Sequence, residues 1–353
     1  MTYPISEEIS AEKARDIVSK LLDGHPVFRS RIILDYGNPW MRIDAEPEIT
    51  VSDVPDGDMR RPFDMSGPLS RFHIVPGKCI QGAFHHIVSD AITRELVIQD
   101  LDRIIRGEDI GTDLGFLRDA NLFSQYCSLQ KAFFTDMFAD VPDDTTLIPY
   151  GSGEPGFGTV KLTQSADMID RSSRELGTTS ANLLAAAFGY TLSRFTGSRY
   201  AVFSHIVNGR ELTGSERSCG MFVRTLPIAM DCRDDSVRGF LSRQSQALLG
   251  TISNQVCQFH RLSKILGLNF GIMFNHISGI EVQEDGMNQE ADEKDIVGDL
   301  TFNLIRSAGQ YLLVFNHSKK YSNAFVSDMA RTFDRIVTGL LTCEKLSEIQ
   351  YVS

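Results

Sequence analysis

The stretch GAFHHIVSDA, residues 82–91, sets two histidines side by side and an aspartate four residues after the second. The run that leads into it, CIQGAFHHI (79–87), is short, apolar and bounded by turn residues, so it reads as a strand. From Asp90 the period changes. Ile92, Leu96, Leu101, Ile104 and Ile105 follow helical spacing up to Gly107. The histidine pair therefore stands where a strand gives way to a helix. Just upstream, SRFHIVPG (70–77) reads as a second strand, and the two form a hairpin that turns at Pro76-Gly77.

Working outward, EKARDIVSKLLDG (12–24) puts Ala14, Ile17, Leu21 and Leu22 on one face of a helix that stops at Gly24. FRSRIIL (28–34) and WMRIDAE (40–46) read as another hairpin, and 118–138 as one helix. YGSGEPGFG (150–158) holds four glycines and a proline in nine residues, the strongest linker signal in the chain. A boundary there gives two domains, 1–150 and 151–353. In the second, 178–197 is a helix with a Thr/Ser start and a Gly197 stop, and 200–207 is a buried strand. The stretch 219–230 is a strand whose Pro227 makes it an edge or bulged one. Residues 236–256 read as helix, 270–277 as strand, 300–307 and 310–317 as a hairpin turning at Ala308-Gly309, and 323–341 as the closing helix. The acidic stretch 281–295 reads as a loop. Each half mixes antiparallel strands with flanking helices, which is an α+β plan.

The composition narrows the function. Acidic residues outnumber basic ones, 46 to 35, which argues against nucleic acid or an anionic membrane as partner. The six cysteines form no CxxC and none stands at zinc spacing from a histidine, so no metal site is expected and reduced thiols fit the cytoplasm. The start, MTYPISEEIS, is not a signal peptide, and ANLLAAAFGY (181–190) is too short to cross a membrane. No phosphate loop, dinucleotide fingerprint or GxSxG elbow occurs.

An imidazole at a strand end can take or give a proton near neutral pH. Asp90 either caps the following helix or pairs with a distant arginine and pins the loop. Local geometry does not bring it onto His86. With no serine elbow and no activated cysteine, a catalytic His86 would act on a nucleophile supplied by a substrate. His25, His73, His205, His260, His276 and His317 have no partners at useful spacing and read as exposed or satisfied core residues. Trp40 reads as a packing residue.

HHIVSDA (85–91) resembles the HHxxxDG motif of the condensation domains of nonribosomal peptide synthetases, within the chloramphenicol-acetyltransferase-like acyltransferases. Other stretches follow that family's order: GHPVFRSRI (24–32) is similar to its RHxxLRTxF segment, 193–211 to its stretch ending in GRN, CGMFVRTLPIAM to its NTL strand, and 254–268 and FGIMFNHI to later segments. The resemblance implies an α/β sandwich of two acetyltransferase-like lobes in a V-shaped pseudo-dimer with a tunnel between them. It implies amide-bond formation between a thioester donor and an amine acceptor, each on the phosphopantetheine arm of a peptidyl carrier protein, with no cofactor bound by the chain itself. An adjacent adenylation domain and a place as monomer or part of a larger synthetase are implied as well. His86 would orient or deprotonate the amine, with His85 beside it in the tunnel. Asp90 would pair with Arg29, Gly209 and Arg210 would floor the tunnel, and Asn275 would reach substrate. The sequence departs from the pattern at Ala91, where the family has glycine and the methyl would narrow the tunnel wall, and at Arg224, where it has asparagine and the cation would either face the tunnel or point to solvent from an edge strand. The N-terminal SxAQxRLW segment has no counterpart here. Two other readings stay open: an acyltransferase using acyl-CoA or one carrier with a free amine or alcohol, and a catalytically silent carrier-docking domain.

Overall fold

The hairpin that carries the motif is built from β5 (Ser70–Val75) and β6 (Cys79–Phe84), antiparallel with Ser70 opposite Phe84. Its turn rests on Gly77, whose φ of 64° suits glycine. A computed structural model describes residues 1–126, 130–142, 145–151, 154–210, 214–256, 259–267, 271–277 and 298–351. The acidic stretch 281–295, Cys127, Cys257 and the side chain of His260 lie outside the described residues. Cys79, Cys219, Cys232 and Cys343 are free thiols.

The chain forms two compact units. The first comprises Met1–Ser124 together with Asn208–Val223, and the second Gln125–Val207 with Arg224–Ser353. A cut at 150 falls inside the second unit, and the first is discontinuous in sequence.

In the first unit, β1 (Thr2–Pro4), β6, β5 and β4 (Glu48–Val51) form a four-stranded sheet in that order. Two helices cover it: α1 (Ala11–Gly24), capped by Ser10, and α2 (Ala91–Ile105), capped by Asp90. Ile17, Val18 and Leu21 from α1 join Phe72, Ile74 and Ile80 from the sheet and Val97 and Leu101 from α2 in one core. The hairpin β2 (Ser30–Asp35) and β3 (Asn38–Ile43) stands apart as a two-stranded sheet, and Trp40 is exposed on it rather than packed. The single helix expected over 118–138 is described as two, α3 (Gly115–Tyr126) and α4 (Lys131–Met137), with 127–129 outside the description.

The second unit is a six-stranded sheet in the order β7 (Gly156–Ser165), β12 (Gln310–His317), β11 (Leu300–Ser307), β10 (Ile272–Ile277), β8 (Tyr200–Asn208) and β9 (Val223–Asp231). The strands are not all antiparallel as expected: β4 pairs β5, and β10 pairs both β8 and β11, in parallel, because these neighbours are joined by long connections and not by tight turns. Pro227 lies on β9, an edge strand, as its missing N–H demands. After β7 come α5 (Ala166–Glu175) and α6 (Ser180–Thr196), followed later by α7 (Val237–Ser253), α8 (Phe259–Leu266) and α9 (Asn323–Thr342). Phe188 of α6 and Phe333 of α9 pack on Phe274 and Phe302 in the core of this unit.

The glycine-rich 150–158 stretch is only partly a connection. Gly156 and Gly158 open β7, and a Cβ on Gly158 would come within 2.4 Å of the Phe315 ring. These glycines admit close strand approach, which composition alone cannot tell from a linker.

Candidate active site

After β6, His85 keeps the sheet pairing one residue further, its N–H donating to the Leu69 carbonyl at 2.8 Å. The chain then makes a single 3-10 turn, His86–Val88, which presents the second histidine outward. Within this turn the two rings play opposite parts. Nδ1 of His85 accepts from the N–H of Ile87 at 3.1 Å, so the neutral ring carries its proton on Nε2. Nδ1 of His86 lies 2.7 Å from the Ser89 carbonyl oxygen, which can only accept. The neutral ring of His86 therefore carries its proton on Nδ1 and keeps a lone pair on Nε2. His85 is half-buried against Phe63, and burial, then the neighbouring His86, pulls its pKa below the ordinary histidine value. His86 is exposed.

Asp90 does both of the jobs a sequence reading allows. Its Oδ1 accepts from the Thr93 N–H at 2.9 Å and caps α2. It is also buried and paired, but not with Arg29. Arg210 donates through Nη1 to Oδ2 and through Nη2 to Oδ1, both at 2.7 Å. Arg29 sits at the end of a short 3-10 turn and reaches Glu46 at 3.2 Å and Asp23 at 3.7 Å instead. The reason is burial. Arg210 is 1% exposed, so its charge requires a counter-ion at hand, whereas Arg29 faces partners near solvent.

A web of contacts fixes the pair. Arg210 also donates to the Ser218 carbonyl and lies 4.5 Å above the Phe222 ring. The Phe222 N–H donates to Asp90 Oδ2 at 3.1 Å, and the Thr93 hydroxyl donates to the Gly220 carbonyl at 2.8 Å while the Gly220 N–H reaches it at 3.0 Å. Burial pushes the Asp90 carboxyl up. The hydrogen bonds and charge of Arg210, with the Thr93 and Phe222 amides, outweigh that and hold it below the usual carboxylate range. Sequence reading missed Thr93 and the Ser218–Phe222 backbone, and it gave Arg210 only a place in the floor of a tunnel. The one clue was an arginine following glycine at the end of a strand pattern (Gly209-Arg210).

Of the other expected positions, Ala91 is the first residue of α2, exposed and outside the positive-φ region, so its backbone has no need of glycine. Gly209 is buried. Arg224 is half-buried near the start of β9. Asn275 is half-buried on β10 and donates to the Asn303 side chain at 3.2 Å. His25, His73, His205 and His317 are buried, as satisfied or core residues would be. Among the described residues, His25, Asp113 and Cys219 are a group whose metal-ligating atoms lie within 4.8 Å of one another. Both ring nitrogens of His25 already face carboxylates, Asp100 at 3.0 Å and Asp113 at 3.3 Å, so an ion pair accounts for the group. Among the described residues no helix is long and apolar enough to cross a membrane.

Comparison with known proteins identifies the family and the fold. The family model of the condensation domain matches residues 2–353. Gramicidin S synthase 2 of Brevibacillus brevis is 26% identical over 281 residues, covering 71% of this chain. The chain spans only 6% of that protein. A four-domain nonribosomal peptide synthetase in its holo form, bound to AMP and glycine, superposes with a TM-score of 0.74 at 15% identity, over 97% of this chain and 31% of the other. The first condensation domain of the calcium-dependent antibiotic synthetase, with a substrate analogue bound, gives 0.71 at 18% identity, over 96% and 91%. The mixed helix and strand architecture is thus the condensation-domain fold, and the chain belongs to the condensation-domain family of nonribosomal peptide synthetases.

Proposed function

We propose that this chain joins a thioester donor to an amine acceptor through an amide bond, each substrate carried on the phosphopantetheine arm of a carrier protein, with His86 as the group that touches the reacting amine. The observation that carries this reading is the tautomer of His86. Its Nδ1–H is spent on the Ser89 carbonyl, and Nε2 of this exposed residue keeps a lone pair.

A thioester is already activated, so the work left to the protein is modest. The amine nitrogen attacks the donor carbonyl carbon, the new C–N bond forms, and the C–S bond breaks with the pair leaving on sulfur. The proton lost by the amine passes to Nε2 of His86 and from there to the departing thiolate. Bringing two tethered substrates together is itself a large part of the rate, and a positioned base adds about 10²–10⁴-fold. Asp90 and Arg210 hold the backbone that aims the ring and need not touch substrate.

The test supplies a donor carrier loaded with an acyl or aminoacyl thioester and an acceptor carrier loaded with an amine. Amide product that requires both carriers and is lost in His86→Ala supports the reading. Turnover of a free coenzyme A thioester with a free amine or alcohol would assign a one-carrier or carrier-free acyltransferase instead. Binding of loaded carriers with no product from any pair would mark a silent docking domain.

A further inference from the structure

Beside the Asp90–Arg210 pair lies a second buried ionic node in the same unit. His25 follows the last turn of α1 and is 3% exposed. Its Nε2 lies 3.0 Å from Asp100 of α2, and its Nδ1 3.3 Å from Asp113. A neutral imidazole has one N–H and could satisfy only one of these carboxylates, whereas the imidazolium donates to both. The Phe28 ring packs 5.7 Å from the imidazole, and further polar groups surround the node. Arg103 donates to Asp100 at 2.8 Å, Arg217 lies 3.8 Å from it, and the Cys219 thiol is 3.8 Å from Nε2. Burial opposes the charge on His25, but the two carboxylate hydrogen bonds outweigh it and hold the ring's pKa up at about 11.

What this node grips is the returning segment. Asp113 Oδ2, on one side of His25, accepts the Cys219 N–H at 2.7 Å, and its Oδ1 accepts the Gly115 N–H at 2.9 Å. Cys219 leads directly into Gly220 and Phe222, whose amides bind Thr93 and Asp90. We propose that His25 is a positioning residue that, by donating through both ring nitrogens, clamps Asp100 and Asp113 and so fixes the Cys219–Phe222 backbone against which Asp90 and the histidine turn are set. The effect on turnover rests on the reaction proposed above; the effect on the backbone does not.

The test reads the ring and the backbone separately. In protein labelled with nitrogen-15 in histidine, the His25 ring shows both nitrogens protonated at about pH 8.5, well above the ordinary histidine pKa. Its signal is assigned by its loss in His25→Gln, or by its displacement in Asp113→Asn should the first variant not fold. In whichever variant folds, the Cys219, Gly220 and Phe222 amides exchange about 100-fold faster, while the β10–β11 amides keep their rates. Turnover falls about 10- to 100-fold in kcat with little change in KM. A ring that titrates between pH 6 and 7, exchange rates that do not move, or a ring signal that shifts on adding zinc or a chelator would each overturn the proposal. If exchange changes as expected and neither wild type nor variant forms amide product, the clamp stands and the reaction assigned to His86 does not.

Discussion

Asp90 and Arg210, 120 residues apart in the chain, meet in a two-pronged ion pair buried on both sides, each guanidinium Nη donating to a different carboxylate oxygen at 2.7 Å. The carboxylate also caps a helix and takes an amide from the returning strand entry, so one side chain ties three pieces of backbone.

Removing one partner leaves the other charged and buried. Asp90→Asn or Arg210→Met therefore costs about 3–5 kcal/mol of folding stability, measured by urea unfolding near neutral pH. Removing both costs less than the sum. The folded-state pKa of Asp90 is depressed, so its contribution is present above the unfolded value of about 3.9 and is lost as pH falls through the lower folded value. Equal stability losses from wild type and Asp90→Asn on acidification would contradict this assignment.

His86 is exposed, and its ring hydrogen-bonds the Ser89 carbonyl. His86→Ala leaves the unfolding midpoint nearly unchanged and lowers amide formation by about 10²–10⁴-fold. Circular dichroism melts and product formation from loaded carriers check the two halves. A variant that unfolds early would make the ring structural and remove its claim to chemistry.

Gly158 admits the edge of Phe315 where any side chain would stand. Gly158→Ala forces the aromatic ring or strand β7 to move and costs about 1–3 kcal/mol. Gly107, with φ of 81° and open space around it, gives the opposite contrast, because there an alanine is strained by backbone and not by contact. If Gly158→Ala proves neutral in denaturant unfolding, the close approach of β7 to β12 is not tight.

His205 lies in the second unit, stacked 5.9 Å from Phe274, with Nδ1 unpartnered among the described residues. Burial, then the nearby His276, depresses its pKa to about 4. The sign follows from linkage. The unfolded chain takes up a proton near pH 6.5 and the folded one only near 4, so stability is full above about 6.5 and is lost as pH falls between the two. His205→Gln, which cannot charge, flattens this acid slope. Urea midpoints at about pH 7.5, 6 and 5 read the difference, and parallel slopes for variant and wild type would rule it out.

Much of the plan was legible because periodicity carries it. The β5–β6 hairpin, the switch to helical spacing at Asp90, and the edge position of Pro227 all follow from patterns a few residues long. The strand-to-helix junction that carries the two histidines was legible, and the contacts that support it were less so. Asp90 was correctly given a remote arginine, but the choice between Arg29 and Arg210 turns on which of them is buried, and burial is a property of the fold. Gly156 and Gly158 misled for a similar reason: glycine marks both flexible connections and tight strand contacts. The opposed protonation of His85 and His86 depends on which backbone group each Nδ1 meets, and adjacent letters cannot report that.

The discontinuity of the first unit sets a timetable for its birth on the ribosome. Its carboxylate at 90 emerges well before its guanidinium at 210, and at about 5–20 residues per second the interval is roughly 6–24 s. For that time the nascent N-terminal portion holds an acid whose mate has not been made. The two meet only after the 208–223 strip has left the exit channel, by which time most of the intervening residues, which belong to the other unit, have emerged.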